Sequence, residues 1–232
     1  MHLVGRRILV TGGSSGIGGA LVDAYRDEGA DVWSVARTKR TGDAQSIPGD
    51  ITLAETRARL VEALKGKGIE VVVHAAGVLG PPQTKLSDYP EQAWRRVLKV
   101  NITAVELLHR TLAAHYGPFP TVIGVSSSVG RAGRKGWGAY AVSKFALEGW
   151  LEVLSDEWAM GGRVYSVNPG RTATRMRATA FPDEDPTQLP TPAEITPIFL
   201  RLAHAHVDEP TGSRFDARDW IGSDPWAGIG LD

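Results

Sequence analysis

The feature that most constrains the fold of this chain is an apolar run, a glycine-rich turn and an amphipathic segment near its start. Residues 7–11 (RILVT) predict a buried strand, and residues 11–18 (TGGSSGIG) follow directly. Apolar residues then recur at helical spacing. Glycines let a pyrophosphate approach the backbone, and a helix N-terminus offers it amide donors. The pattern predicts a dinucleotide-binding loop, the alternative being a tight turn that needs positive φ. Its expected contact residues are Gly12, Ser14, Ser15, Gly16, Ile17 and Gly18.

A second predicted strand, residues 31–36, ends at a basic segment. Arg37 and Thr38 follow it, and no carboxylate occurs before Asp43. An acidic residue at this point would bind the ribose hydroxyls of NAD(H), whereas an arginine accommodates the 2′-phosphate of NADP(H). We therefore predict that NADP(H) is preferred over NAD(H). A solvated loop charge is the alternative interpretation of Arg37.

The next two predicted strands place further candidates at the same end. Residues 46–48 predict the third strand, and Asp50 and Ile51 after it are placed to meet an adenine ring. Asp50 is equally suited to cap the following helix. Residues 69–73 predict the fourth strand, which is rich in β-branched residues and therefore buried on both faces. We interpret His74 as a hydrogen-bonded core residue, since the chain has no cysteine and no second histidine at metal-binding spacing.

A tyrosine and a lysine share one face of a long predicted helix, residues 137–159. Tyr140 and Lys144 are four residues apart, and Ser127 follows the predicted fifth strand, residues 120–126. A free tyrosine has a pKa of about 10. An ammonium about 4 Å away favours the phenolate by roughly 4 kcal/mol, which would lower that pKa by up to about 3 units. We therefore expect a proton-exchanging phenol, the alternative being two exposed side chains.

Two more segments carry polar residues whose function the residues themselves leave open. Residues 90–115 predict a helix. Asn101 in its interior either faces solvent or has a functional role. The loop before Tyr140 carries Arg131, Arg134 and Lys135. We interpret this basic cluster either as a solvated loop or as a clamp for an anionic substrate.

The remaining chain completes an alternation of strands and helices. A sixth strand (164–167), a final helix (192–204) and a last strand (213–216) are predicted. The proline-interrupted segment 171–190 predicts a substrate lid, and the tryptophan-containing tail 217–232 is expected to pack on a neighbour. The alternation predicts one α/β domain over all 232 residues. Its expected architecture is a Rossmann fold with a doubly wound parallel sheet of about seven strands.

Composition narrows the classes of partner. Lys+Arg and Asp+Glu both number 26, so the formal net charge is zero and nothing indicates a nucleic-acid or membrane-surface protein. The absence of cysteine excludes disulfides and thiolate metal sites, and we expect no metal. The N-terminus lacks the apolar region of a secretory signal, and no apolar run reaches the roughly 18 residues of a membrane span. We expect a cytoplasmic protein.

Together the motifs resemble the short-chain dehydrogenase/reductase family over nearly the whole chain. The matching stretches are the glycine loop, residues 75–77, the Tyr-x-x-x-Lys pair, and residues 168–170 (NPG) with the stretch up to residue 176. The resemblance implies a catalytic tetrad of Asn101, Ser127, Tyr140 and Lys144. The glycine loop and the residues Arg37, Thr38, Asp50 and Ile51 are already expected to contact the cofactor. The resemblance adds further cofactor contacts: Ala75, Ala76, Gly77, Asn101, Tyr140, Lys144, Pro169, Gly170, Thr172, Thr174 and Met176.

The family implies hydride transfer between NADP(H) and a small carbonyl or alcohol. Tyr140 would give or take the proton, and Ser127 would bind the substrate oxygen. Lys144 would lower the pKa of Tyr140 and bind the nicotinamide ribose, while Asn101 would hold a water that links Lys144 to solvent. Helices near residues 90–115 and 137–160 are the usual family interface, which implies a homodimer or homotetramer.

Residues 137–146 and 176–182 further resemble a bacterial subgroup of the family that has no settled physiological substrate. Three alternatives stay open: a 3-oxoacyl-thioester reductase, a non-catalytic NADP(H)-binding module, and a nucleotide-sugar epimerase or dehydratase. Retention of Ser127, Tyr140 and Lys144 disfavours the binding module. The short stretch after Gly170 disfavours the epimerase.

Overall fold

The strands of the sheet form from the apolar runs of the sequence. The computed structural model describes residues 1–117, 121–158 and 161–230. Its strands are β1 Arg7–Thr11, β2 Asp31–Ala36, β3 Ser46–Pro48, β4 Val71–His74, β5 Thr121–Val125, β6 Arg163–Asn168 and β7 Arg214–Asp216. Within those residues they make one parallel seven-stranded sheet in the order β3-β2-β1-β4-β5-β6-β7. This arrangement confirms the predicted Rossmann fold with a doubly wound parallel sheet.

Helices connect these strands on both faces of the sheet. The described residues form α1 Gly16–Asp27, α2 Ala54–Ala63, α3 Glu91–Leu98, α4 Ala104–Tyr116, α5 Gly138–Glu157, α6 Arg175–Ala180 and α7 Pro197–Ala203. A π-helical turn, Lys99–Thr103, divides the predicted helix 90–115 between α3 and α4. In the part of the chain that the structure describes, no helix is long and apolar enough to cross a bilayer.

Two predicted elements extend outside the described residues, and a third begins later than predicted. The predicted fifth strand includes Pro120 and the predicted long helix includes Ala159, and both of these residues lie outside the described ranges. Helix α7 begins at Pro197 rather than near residue 192. Pro197 has no amide with which to continue a helix from Ala193, so it occupies the first turn, where no amide is needed. The amide of Thr196 bonds the Ala193 carbonyl instead, at 3.2 Å.

Alternating strand residues face two hydrophobic cores. Ile8 and Val10 of β1 belong to the core that α1 and α7 cover, which includes the fully buried Phe199. Leu9 belongs to the opposite core, beneath α2, α4 and α5, together with Leu108. Because both faces of the central strands β1, β4 and β5 are covered, these strands read as continuous apolar runs rather than alternating ones.

The parallel register brings the carboxyl ends of the central strands to one edge. Thr11 lies beside His74, His74 beside Gly124 and Gly124 beside Ser166. The chain runs outward in opposite directions from β1 and β4, so the loops after these two strands diverge and leave a crevice. Ligands of doubly wound folds bind at such a switch point.

His74, at the end of β4, corrects one prediction. It is buried, but neither ring nitrogen has a hydrogen-bond partner among the described residues, so the predicted hydrogen bond is wrong. The ring instead meets Trp150 edge-on, with 5.8 Å between ring centroids. Burial lowers the pKa of His74 to about 3, which keeps the ring neutral at physiological pH.

The C-terminal tail, over its described residues, packs on its own chain. Trp220 and Trp226 pack against the core that α1 and α7 cover. The Trp226 ring stacks on His2 with 4.3 Å between centroids, and Arg201 donates to the Ala227 carbonyl at 2.7 Å. The two ends of the described chain are therefore joined beside α7.

The close approach of α1 to the glycine loop yields a stability prediction. A Cβ on Gly18 would lie 2.5 Å from the Gly12 carbonyl oxygen. We predict that Gly18→Ala lowers the free energy of unfolding by roughly 1–3 kcal/mol through overpacking. Gly149→Ala is the matched control, because nothing lies within 4 Å of a Cβ there, and should raise it by about 0.5–1 kcal/mol. Urea unfolding measures both, and equal effects would contradict the prediction.

Candidate active site

A cleft of about 390 Å³ opens at the carboxyl edge of the sheet. Its walls come from the glycine loop, the segments after β4, β5 and β6, and α6. Ser127 and Tyr140 both line it, at the end of β5 and in the first turn of α5. The structure thus brings two of the four predicted catalytic residues to the surface of one cavity.

The side chains of Tyr140 and Ser127 are neighbours in the cleft. Tyr140 is 8% exposed, and the Ser127 side chain is near enough to its hydroxyl to act on its pKa. Ser127 has extended backbone, and its oxygen accepts from the Val129 amide at 3.4 Å. The neighbouring Ser126 hydroxyl is buried in the cleft wall and has no partner among the described residues. A polar ligand group would satisfy it.

Lys144 lies behind the wall of the cleft. It is 5% exposed, and its Nζ donates to the Val125 carbonyl at 2.7 Å. The same Nζ is 5.6 Å from the centre of the Tyr140 ring. The loop after β5 packs directly on the helix here, since a Cβ on Gly130 would lie 2.8 Å from the Lys144 backbone. Strand β5 and helix α5 are therefore held together at the site.

Burial sets the protonation states of this pair and corrects the sequence argument. Burial raises the pKa of Tyr140 to about 12, although the neighbouring Ser127 side chain acts in the opposite direction. Burial lowers the pKa of Lys144 to about 8, although Glu148 one turn along the helix opposes the change. The predicted depression of the Tyr140 pKa is wrong for this state, because exclusion of water disfavours the phenolate more than neighbouring groups favour it.

Asn101 is buried in the π-helical turn and does not face solvent. Its amide oxygen accepts from the Val78 amide at 2.8 Å, and its nitrogen donates to the Val78 carbonyl at 2.9 Å. The same nitrogen donates to the Ser143 hydroxyl at 2.9 Å. Asn101 therefore connects the segment after β4 to α5. Its contact on α5 is Ser143, which directly precedes Lys144. π-Helical turns are frequent at functional sites.

The glycine loop fits a dinucleotide phosphate. Helix α1 has no acidic residue in its first turn, and the side chain of its N-cap, Ser15, makes no capping bond. Its amides are thus available to an anion. Gly12 adopts a φ of 73°, and a Cβ there would lie 2.9 Å from the Ala76 Cα. The Thr11 hydroxyl accepts from the amides of Ala75 and Ala76 at 3.1 and 3.0 Å, which fixes residues 75–77 beside the loop.

The predicted adenosine end lies at the carboxyl ends of β2 and β3. Arg37 and Thr38 are exposed there, and Ile51 is buried. Burial opposes ionisation of Asp50, but the Thr52 amide and the charge of Arg37 outweigh it and hold the pKa of that carboxyl below its ordinary value. Asp50 does not cap α2, whose N-cap is residue 53.

Arg40 belongs to the basic segment after β2 but is already occupied. Its guanidinium donates to the Gly13 and Gly19 carbonyls at 3.2 and 3.1 Å and pairs with Asp23. Arg40 therefore stabilises the glycine loop. Arg37, the other arginine of this segment, is exposed and available to a ligand.

The segment after β6 supplies the side of the cleft that faces the glycine loop. Asn168 accepts from the Ser128 and Gly170 amides, both at 3.0 Å, and so joins the loops after β5 and β6. A Cβ on Gly16 would lie 3.8 Å from Thr174, which places the glycine loop against this segment. The predicted cofactor residues that line the cleft are Ile17, Tyr140, Pro169, Gly170, Thr172, Thr174 and Met176.

The basic cluster before α5 divides into two parts. Arg131 lies 3.2 Å from both the buried Glu148 and Asp216 and is structural. Arg134 and Lys135 line the cleft. The sequence could not separate them, because the partners of Arg131 come from α5 and β7.

Several lining residues were missed by sequence reasoning. Leu79, Gln83 and Trp137 line the cleft together with Phe181 of the predicted lid. Gln83 has a φ of 56°, unusual for a residue other than glycine, and its side chain approaches Gly136 on the loop before α5. Gln83 and Leu79 belong to a proline- and glycine-rich loop with no signal of function. The position of Trp137, three residues before Tyr140, was the available clue.

Comparisons with known proteins define the class of the chain. The family profile described as short chain dehydrogenase matches residues 6–185. An uncharacterized oxidoreductase, YciK, from Escherichia coli K12 is 38% identical over 232 residues, 92% of each chain. The chain therefore belongs to the short-chain dehydrogenase family of oxidoreductases.

Solved structures agree with this assignment. A structure from Escherichia coli CFT073, assigned to the short chain dehydrogenases and complexed with NADPH, is 38% identical with a TM-score of 0.86. It covers 94% of this chain and 98% of its own. One from Shigella flexneri 2a, complexed with NADP, is 37% identical with the same TM-score and coverage.

The buried lysine yields a pH prediction. Burial lowers the pKa of Lys144 from 10.5 to about 8, so holding its charge costs stability below pH 8. The free energy of unfolding therefore rises between pH 8 and 10.5, because over this range the folded protein has already lost the Lys144 proton while the unfolded chain still holds it. Relative to Lys144→Met, the wild type should therefore gain on the order of 2–3 kcal/mol in unfolding free energy between about pH 7 and pH 10. Urea unfolding at both values measures this, with the exposed Lys65→Met as control. A pH-independent difference would contradict it.

Proposed function

We propose that this protein transfers a hydride between NADP(H) and a carbonyl or alcohol substrate. The observation that supports this best is the pair of neighbouring side chains, Tyr140 and Ser127, that line one cleft beside an uncapped helix N-terminus. Bound NADP(H) supplies the hydride, and the protein supplies orientation and proton control.

The proposed cofactor site runs along the carboxyl edge of the sheet. The amides of the glycine loop hold the pyrophosphate, Ala75, Ala76 and Gly77 lie beside it, and Asp50 and Ile51 meet the adenine. Residues 169–176 border the nicotinamide. The fixed loop geometry, with Arg40 and Thr11 bracing the backbone, favours binding because little must be ordered when the nucleotide arrives.

In the proposed reduction, Tyr140 donates its hydroxyl proton to the carbonyl oxygen. Its raised pKa keeps the phenol protonated at neutral pH, so the donor state is the resting state. Ser127 binds the same oxygen and stabilises the negative charge that develops on it. Lys144 binds the nicotinamide ribose, and its charge favours Tyr140 as the proton leaves. Asn101 holds the water through which Lys144 recovers a proton.

NADP(H) is the proposed preference over NAD(H). Arg37 projects at the end of β2, where the adenosine ribose of a bound dinucleotide would lie, and the two solved relatives carry NADP or NADPH. A guanidinium binds a phosphate monoester with charge-assisted bonds, and residues 37–42 after β2 contain no carboxylate that would repel it.

The proposed lid is the segment 171–190 of one single domain. The Ala173 amide donates to the Pro190 carbonyl at 2.8 Å and closes the base of the segment. Arg177 makes a double hydrogen bond with Glu184 inside it. The lid therefore holds its own shape and is suited to move over the substrate as a unit.

We further propose a homodimer or homotetramer built on α3, α4 and α5. Val142, Phe145 and Val153 are large apolar side chains exposed on α5. Their spacing places them along one side of the helix. Burial against another copy would remove this apolar surface from water.

Removing one hydroxyl tests the reaction. Tyr140→Phe should lower kcat for NADPH-dependent carbonyl reduction by at least about 100-fold, because the proton donor is lost. The dissociation constant for NADPH should change little. Tyr116→Phe is the control, because that hydroxyl bonds the Val61 carbonyl away from the cleft. A panel of ketones and aldehydes followed by NADPH absorbance gives the rates, and retained turnover in Tyr140→Phe would refute the proposed donor.

Reversing one charge tests the cofactor preference. Arg37→Asp should raise the KM for NADPH roughly 10–100-fold by removing a charge-assisted bond, and should lower the NADPH to NADH selectivity ratio. Lys65→Asp makes the same charge change on the exposed residue just beyond α2 and should leave that ratio unaltered. If Arg37→Asp does not move the ratio, the 2′-phosphate is bound elsewhere.

A further inference from the structure

The cleft has an uneven distribution of charge. Four basic residues line it: Arg134, Lys135, Arg171 and Arg177. No aspartate or glutamate is part of its wall among the described residues. A cavity of one charge sign attracts a ligand of the opposite sign.

Two of these cations share a single carboxylate of the lid, so this group of three keeps one net positive charge. Glu184 pairs with Arg177 and lies 3.6 Å from Arg171. The Arg177 guanidinium also stacks on Phe181, 3.9 Å from the ring centroid. These contacts commit Arg177 to the internal structure of the lid, whereas Arg171 is held only by its longer ion pair with Glu184.

Arg134 and Lys135 have no such partner in the part of the chain that the structure describes. Both are exposed, and no carboxylate of a described residue lies within ion-pair distance of either one. Arg131, in the same loop, differs from them because it forms ion pairs with two carboxylates and so has a structural role. Solvated basic residues are common on loops, but these two line the same cleft as Tyr140.

An apolar surface lies next to this pair. Trp137 lies two residues beyond Lys135, with its ring centroid 5.6 Å from that of Tyr140 and 5.8 Å from that of Phe181. Leu79 lines the same part of the cleft. The surface therefore connects the charged pair to the proposed proton donor.

The cofactor does not account for this charge. Its phosphates have the amides of the glycine loop and the exposed Arg37, which lie at β1 and β2. Arg134 and Lys135 lie in the loop between β5 and α5, on the substrate side of Ser127 and Tyr140.

We propose that the carbonyl substrate carries an anionic group, held by Arg134 and Lys135, on an apolar body that packs against Trp137 and Phe181. This inference rests on the proposed function and names the substrate class of the same cleft. It assigns specificity to the two residues of the basic cluster that are not used to hold the fold together.

Calorimetry on the protein saturated with NADP⁺ tests the inference without turnover. The probes are octanoate, octyl phosphate and octanamide, which share an apolar chain and differ in charge. At least one anion should bind roughly tenfold more tightly than the amide, and added salt should reduce the difference because the pair is exposed. The double variant Arg134→Gln/Lys135→Gln should lose this preference. Lys65→Gln, an exposed lysine just beyond α2, should keep it.

The outcomes separate this inference from the proposed function. Equal binding of the amide and both anions, binding of none of them, or a preference that survives in the double variant would each overturn it. Charge-selective binding in a protein that reduces no carbonyl would instead support the anion site and reject the proposed reaction.

Discussion

The hydrogen bond from the buried Lys144 ammonium to the Val125 carbonyl is the contact on which the site depends. A buried ammonium needs hydrogen-bond acceptors, and here one acceptor is the carbonyl of the last residue of β5. The bond therefore fixes the position of α5 along the strand. Tyr140, one turn earlier on the helix, then meets Ser127, two residues beyond Val125. One ammonium thus positions the two hydroxyls that share the cleft.

This arrangement has an electrostatic consequence that the spacing of the residues alone does not reveal. The Tyr-x-x-x-Lys pattern predicts two neighbouring side chains, and the structure places them on one side of α5. Whether the phenol gains or loses acidity depends on how much water remains, and that depends on tertiary packing. Because burial outweighs the available hydrogen bonds, Tyr140 stays protonated and Lys144 gives up its proton more readily. Tyr140 therefore rests in its protonated form, beside a lysine that can exchange a proton nearer neutral pH.

The sequence predicted the local secondary structure but not the contacts between residues that are distant along the chain. The strand, glycine loop and helix at residues 7–27 form as expected, because φ preference and apolar periodicity act within one segment. The roles of Asn101, Arg131 and His74 could not be predicted, since their surroundings come from other elements. Arg131, for example, contacts Asp216 from another part of the sheet, while Arg134, three residues away, lines the cleft.

The crystal structure of the protein with bound NADP⁺ tests the central claim most directly. The account predicts a nicotinamide ring in the cleft next to the Ser127 and Tyr140 hydroxyls, with the adenosine 2′-phosphate at Arg37. A nicotinamide ring that lies away from these two hydroxyls would contradict it.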